Sequence, residues 1–390
     1  EERGPNTFRL CVSAGMDGKG KQDIKRKTFH GRKREAQKAL TAFAAEVERT
    51  YLTAGAKHSF EEFSERWLDL HAEPNLKAQT VAGYRRHLKN YIYPAIGHIK
   101  LEKLTAVRLM DFYASLQKDG IRLDKKKGGL SPVTIGQYHR IISSILESAV
   151  KWNVLSYNVA HGVQPPRAEH KEMNVYNEEQ TVDMLTALEK QPIKYQALIS
   201  LAVLAGLRRG ECLGLEWADV DFEKQEITIR RQSQYLPHKG VFADSPKTAS
   251  SVRIIAIPAT LVDTLKGLKA SQNSKRLKLG GRWHDSGRVF TTWDGRPMHP
   301  DSISSWFREF QTDANLPHIR FHDLRHVSAT LMLVGGVDLK AVSKRLGHKQ
   351  TSTTMNIYAH ALRSADRQAS AKMQELLDRS KGSRTKKATK

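Results

Sequence analysis

Phe321-His322-Asp323-Leu324-Arg325-His326 sets an imidazole and a guanidinium three residues apart. On a helix His322 and Arg325 share one face, where together they can grip one anionic group. His322 and His326, at i and i+4, also imitate the helix of zinc proteases, with Asp323 where a general-base Glu belongs. Asp is one methylene short for that task, and no third ligand follows at the usual distance. The residues therefore favour an anion grip, and neither a metal nor another cofactor is expected.

Working outward, three more stretches carry chemistry-bearing side chains. Ala205-Gly-Leu-Arg208-Arg209-Gly210-Glu211 ends an apolar helix at a glycine, presents two arginines and starts a new helix at Gly210-Glu211. Ser245-Pro-Lys247-Thr-Ala-Ser-Ser251 puts a lysine in a Pro/Ser turn between β segments. In Leu346-Gly347-His348, Gly347 reads as the residue that stops a helix, with His348 just beyond it. Thr351 can cap the next helix, which carries Tyr358. Taken singly, each is ordinary: a surface arginine, a loop lysine, a packed tyrosine.

The rest of the chain says what such a cluster would act on. In 390 residues there are 64 Lys and Arg against 41 Asp and Glu, a net charge of +23 and a pI of about 9.9. That balance on a chain with 39% hydrophobic residues points to a folded nucleic-acid binder and excludes wholesale disorder. Two cysteines exclude a disulfide scaffold and fit a reducing cytosol. The longest mainly apolar run, Ala197–Leu207, is too short to span a bilayer, so no membrane association is expected. The chain opens on Glu1 rather than Met, which leaves room for a start and an address upstream.

Periodicity predicts a multidomain, mainly α protein. Residues 1–57 read as a small β-sheet plus helix: Asn6–Ser13 and Lys25–Phe29 as strands, Arg34–Tyr51 as a helix. Lys25, Arg26 and Lys27 are the candidate DNA contacts there. Residues 58–163 read as a helical bundle, opened by Ser59 with an acidic first turn. Helices over Thr80–Tyr91, Thr105–Leu116 and Ser131–Trp152 follow, with Pro132 at a first helical position. Arg85 and Arg86 are its candidate backbone contacts. Residues 164–173 read as a linker. Residues 174–361 read as a mixed, mostly α domain with helices over 177–189 and 195–206. Strands over 226–232 and 251–257 flank a turn near Pro237–Gly240, and helices return from Asp301. Residues 362–390 give a helix near Ser364–Leu377 and a basic tail.

In order, Arg208, Lys247, His322-x-x-Arg325, His348 and Tyr358 make a pattern that no one of them makes alone. In it the sequence resembles the tyrosine recombinases, specifically phage and conjugative-element integrases, and the resemblance covers the whole chain. The resemblance implies an arm-type DNA-binding domain at 1–57, a core-binding domain at 58–163 and a catalytic domain at 174–361. It implies that Arg208, Lys247, His322, Arg325 and His348 surround a phosphodiester, with Tyr358 as nucleophile and Glu211 orienting an arginine or the hairpin. It further implies double-stranded core and arm sites and a homotetramer on DNA, aided by a DNA-bending host factor and an excisionase. The expected location is the bacterial cytoplasm, at the nucleoid. Ala205 departs from the pattern, since many members carry Thr there; that alters local packing rather than chemistry.

The chemistry agrees with those roles. Cutting DNA while conserving bond energy needs a side-chain nucleophile in place of water. A phenol with a pKa near 10 needs its anion stabilised, and is then a better leaving group than an alkoxide. Two planar guanidiniums can hold the charge that grows on the phosphate oxygens. Lys247 suits a general acid and His322 a general base. The alternatives are a catalytically inactive DNA-binding regulator of the same fold and a type IB-like topoisomerase.

Overall fold

The chain folds as two units, Glu1–His170 and Lys171–Lys390. This computed structural model describes residues 2–4, 6–16, 22–56, 58–169, 175–244, 252–347 and 373–374. The architecture is the expected one, mainly helical with small antiparallel sheets.

In the first unit, β1 (Glu2–Gly4), β2 (Thr7–Met16) and β3 (Gln22–His30) form an antiparallel sheet in that order. Against it lies α1 (Lys33–Ala56). Leu10 of the sheet and Phe43 of the helix are the buried pair, flanked by Phe8, Val12, Phe29 and Ala39. A larger core follows, built by α2 (Phe60–Trp67), α4 (Ala78–His87), α5 (Ala106–Leu116) and α6 (Pro132–Lys151), while the single turn α3 (Glu73–Asn75) buries none of its residues. The Ser59 hydroxyl accepts from Glu62 N at 3.2 Å while Glu62 reaches back to Ser59 N at 2.8 Å, so both helix-end donors are satisfied. The Trp67 indole N–H, fully buried, donates to Ser148 Oγ at 2.8 Å and ties α2 to α6. The helix expected to stop at Tyr91 instead widens into π geometry over Leu88–Gly97, with Pro94 inside it.

In the second unit α7 (Glu178–Leu188) and α8 (Ile193–Leu204) precede the short α9 (Arg209–Gly214). Strands β4 (Val220–Asp221) and β5 (Glu226–Ile229) lead to the hairpin of β6 (Gln232–Leu236) and β7 (Gly240–Asp244). The chain returns as β8 (Arg253–Ala256), which pairs with β5 so that Ile227 faces Ile255. The sheet order is β4-β5-β8, and β6-β7 stands as a separate ribbon. The two strands predicted from the sequence thus pair with each other directly, and where a turn near Pro237–Gly240 is predicted a hairpin of two further strands stands between them.

A second correction concerns α10 (Ala259–Leu279), since helices return at Ala259 rather than Asp301. Its first turns bury Leu261, Val262, Leu265 and Leu268, but from Lys269 onward the apolar stripe lapses and hides the period. Then come α11 (Pro300–Asp313), α12 (Asp323–Val334) and α13 (Leu339–Leu346). Gly347 closes α13 in the left-handed region at φ 67°, as its sequence position predicts. Among the described residues no helix is long and apolar enough to cross a membrane.

Candidate active site

In the second unit the start of α9, strand β8, the start of α12 and the end of α13 meet at one carboxylate. Arg208 sits just before α9, and Glu211, three residues on, accepts from Arg208 N at 2.9 Å and from Arg208 Nη1 at 2.8 Å. Arg253 binds both Glu211 oxygens, Nη2 at 2.8 Å and Nη1 at 3.1 Å. Arg325 Nη1 stands 3.9 Å from Glu211 Oε2. Three guanidiniums therefore surround one buried carboxylate, and two positive charges are left uncompensated.

The end of α13 supplies the second half of the frame. Three consecutive carbonyls there each take one arginine: Arg345 O from Arg253 Nε at 2.9 Å, Leu346 O from Arg325 Nη2, and Gly347 O from Arg208 Nη2 at 3.3 Å. These are the carbonyls a helix end leaves without partners, and they carry the negative end of its dipole. Arg325 Nη1 also donates to Gly206 O at 2.7 Å. Gly206 must be glycine, since its φ is 67° and a Cβ there would lie 2.4 Å from Leu346 Cδ2.

Burial grades the arginines. The Arg208 side chain is 36% exposed, that of Arg253 10% and that of Arg325 2%. Arg208 is thus the guanidinium that faces solvent. Burial, with Arg208 and Arg253 close by, pushes Arg325 down to about 9, while Glu211 works against them. Burial alone would raise the Glu211 carboxyl. The hydrogen bonds and charge of Arg253, and the charge of Arg208, outweigh it and hold Glu211 at about 2.

His322 caps α12 and stands exposed at the rim of this cluster. The protein packed beneath it desolvates the imidazole, and His326, Arg325 and Arg208 add positive charge, so its pKa falls to about 4. At neutral pH the ring is therefore uncharged and free to accept a proton. His326 lies edge-on to it with centroids 5.4 Å apart, and its buried Nδ1 has no hydrogen-bond partner. Asp323 is bound by Arg320 at 2.8 and 3.0 Å, so it does not converge on the two histidines. Among the described residues no group of three metal-ligating side chains comes together.

Of the site residues expected from the sequence, Arg208, Glu211, His322 and Arg325 come together. Lys247, His348 and Tyr358 lie outside the described residues, as does all but Met373 and Gln374 of the helix expected near Ser364–Leu377. Arg253 was not anticipated. Its signal lies in the strand period, because 253, 255 and 257 form the inward series and a charge occupies a place where Ile255 and Ile257 are buried.

In the first unit the candidate basic contacts separate by geometry. Lys25 and Lys27 pair across the sheet with Val12 and Leu10, on the α1 side, and Lys27 Nζ lies 5.4 Å from the Phe43 ring centre. Arg26 points to the opposite, open face. Arg85 is held by Glu65, Asp69 and Glu73 at 2.9, 3.0 and 2.8 Å. Arg86 is exposed and lines a groove with Tyr84, His87, Gln137 and Arg140.

Two family models match the chain: the phage integrase family over residues 174–364, and the phage integrase N-terminal SAM-like domain over residues 59–117. The chain belongs to the phage integrase family, and is by that membership a tyrosine-type recombinase. It is 29% identical over 380 residues to a XerC-like tyrosine recombinase of Caldanaerobacter subterraneus subsp. tengcongensis, covering 93% of this chain and 94% of the relative. It is 24% identical to the ICEBs1 integrase of Bacillus subtilis, covering 95% and 97%. Its fold is similar to that of the Tn1549 transposon integrase solved with transposon right end DNA, with a TM-score of 0.67 and 20% identity over 82% of this chain and 99% of that one. It is also similar to the lambda integrase dimer bound to a core site, with a TM-score of 0.55 and 17% identity over 92% and 96%.

Proposed function

We propose that this recombinase integrates and excises a mobile element by cutting and rejoining DNA through a 3′-phosphotyrosyl intermediate. The observation that carries the reading is the arginine cluster around Glu211, an anion site with surplus positive charge and a neutral imidazole at its rim. A phosphodiester supplies the missing negative charge. Arg208 holds the non-bridging oxygens while Arg325, buried behind it, adds its charge, and the Arg208 donors are fixed before charge develops on the phosphate. His322, uncharged, takes the phenol proton of Tyr358 as that oxygen attacks phosphorus. Lys247 protonates the departing 5′-oxygen, and His348 donates to the phosphate. The reverse attack by a 5′-hydroxyl of the partner strand rejoins the chain.

The partner in this reading is double-stranded DNA. Residues 58–163 grip the core site, with Arg86 at the exposed groove, and residues 1–57 bind the arm site, with Arg26 on the open face of the sheet. The linker at 164–173 joins them to the catalytic domain. The enzyme works as a homotetramer on two duplexes, with a DNA-bending host factor and an excisionase, at the nucleoid of a bacterial cytoplasm. The test is a nicked duplex carrying the element's own end, incubated with the protein in EDTA and run on a denaturing gel. A protease-sensitive shifted band that vanishes in Tyr358→Phe is expected. No band despite proven binding to that duplex would instead support an inactive DNA-binding regulator.

A further inference from the structure

We infer that Arg253 is a positioning residue of the strand-cleavage reaction, holding Glu211 and the end of α13 in the one arrangement that aims Arg208 at its phosphate. The inference rests on the recombinase reading and deepens it.

Arg253 is the hub of the frame. Its fork takes both oxygens of Glu211, and its Nε takes Arg345 O at 2.9 Å. The side chain also lies against Gly347, where an added Cβ would meet Arg253 Nη1 at 3.2 Å and Cδ and Cζ at 3.3 Å. One planar group thus fixes the carboxylate that grips Arg208 Nη1 and abuts the residue whose carbonyl grips Arg208 Nη2. Arg208 has both terminal nitrogens set by partners that Arg253 holds.

Charge alone does not explain this arrangement. A lysine at 253 would keep the cation yet supply a point donor, which cannot span two carboxylate oxygens and a carbonyl at once. Without the fork, Glu211 is free to turn toward Arg325 Nη1, already 3.9 Å away. Arg208 would then follow Glu211, because they are bound to each other. Only 10% of the Arg253 side chain is exposed, so its effect passes through Arg208 rather than through direct contact with DNA.

The experiment compares the full chain with Arg253→Lys and Arg253→Ala on the nicked duplex, measuring single-turnover adduct formation, duplex affinity and thermal unfolding. The expected result is a fall in cleavage rate of about 10²-fold in Arg253→Lys, the scale of a misplacement of about 1 Å. Duplex affinity should stay within about twofold, because each phosphate contact is one term among many. Methylguanidinium added to Arg253→Ala should restore part of the rate. Cleavage by Arg253→Lys at the wild-type rate would overturn the inference. So would a loss that tracks unfolding and ignores methylguanidinium, which would make Arg253 merely structural. If the wild-type chain itself forms no adduct, the recombinase reading fails and this inference falls with it.

Discussion

Glu211 and Arg253 are joined through both carboxylate oxygens, at 2.8 and 3.1 Å, between a short helix and a strand whose sequence positions lie 42 residues apart. The pair converts a surface that would repel itself, three arginines side by side, into a fixed anion site. Removing the carboxylate leaves the arginines buried without their counter-charge. Glu211→Gln should therefore destabilise the protein by about 3–5 kcal/mol, the usual cost of breaking a buried ionic pair from one side. It should also remodel the site. Urea unfolding at pH 7 checks it, and a change under about 1 kcal/mol would contradict the role given to Glu211.

The same residue gives an acid signature. Its carboxyl is held at about 2, against an ordinary value of 4.5. A depressed acid contributes stability that is complete above the unfolded value and lost as pH falls from about 4.5 through about 2. Part of the acid unfolding of the wild type should come from this group. Glu211→Gln should flatten the stability curve in that window, and an unchanged slope would count against the pairing.

His322 moves with the opposite chemistry. Its pKa of about 4, against an ordinary 6.5, means that the folded protein binds this proton less readily than the unfolded chain. Its effect on stability is absent above about pH 6.5 and grows unfavourable as pH drops toward 4. Catalysis should keep its base down to about pH 5, so the acid limb of kcat/KM should fall near 4. Bound phosphate, being negative, should draw the titration upward. NMR of the free imidazole resonances checks the first point; a titration at 6.5 would refute it.

How much of this was legible in the sequence depends on whether a residue's role is local. His322 and Arg325 lie one turn apart, and Gly347 stops its own helix, so spacing alone exposed them. Ser59 with Glu62, and Pro132 after Ser131, likewise announce their helices within four residues. Arg253 has a role made of contacts 42 and 92 residues away in the chain. No local pattern predicts such partners. The β6–β7 hairpin was hidden for a similar reason: polar Gln232, Ser233 and Gln234 make a ribbon whose pairing, rather than composition, defines it.

Arg85 and Arg86 are neighbours with opposite expected phenotypes. Arg85→Ala removes the cation shared by Glu65, Asp69 and Glu73, so bundle stability should fall while the salt slope of DNA binding stays constant. Arg86→Ala should leave stability within about 0.5 kcal/mol, as for ordinary surface changes. It should reduce the slope of log affinity against log salt by about 0.9, the share of one phosphate contact. Salt titrations of both variants on one duplex distinguish them, and equal slopes would remove Arg86 from the interface.

As the proposed nucleophile, Tyr358 should become covalently joined to the 3′ end of the cut strand. The most direct measurement traps the adduct on a nicked duplex, digests protein and DNA, and sequences the modified peptide by mass spectrometry. One peptide carrying nucleotide through a 3′-phosphate on Tyr358, formed in EDTA, is expected. A modified peptide that maps to another residue, or one linked through a 5′-phosphate, would contradict it.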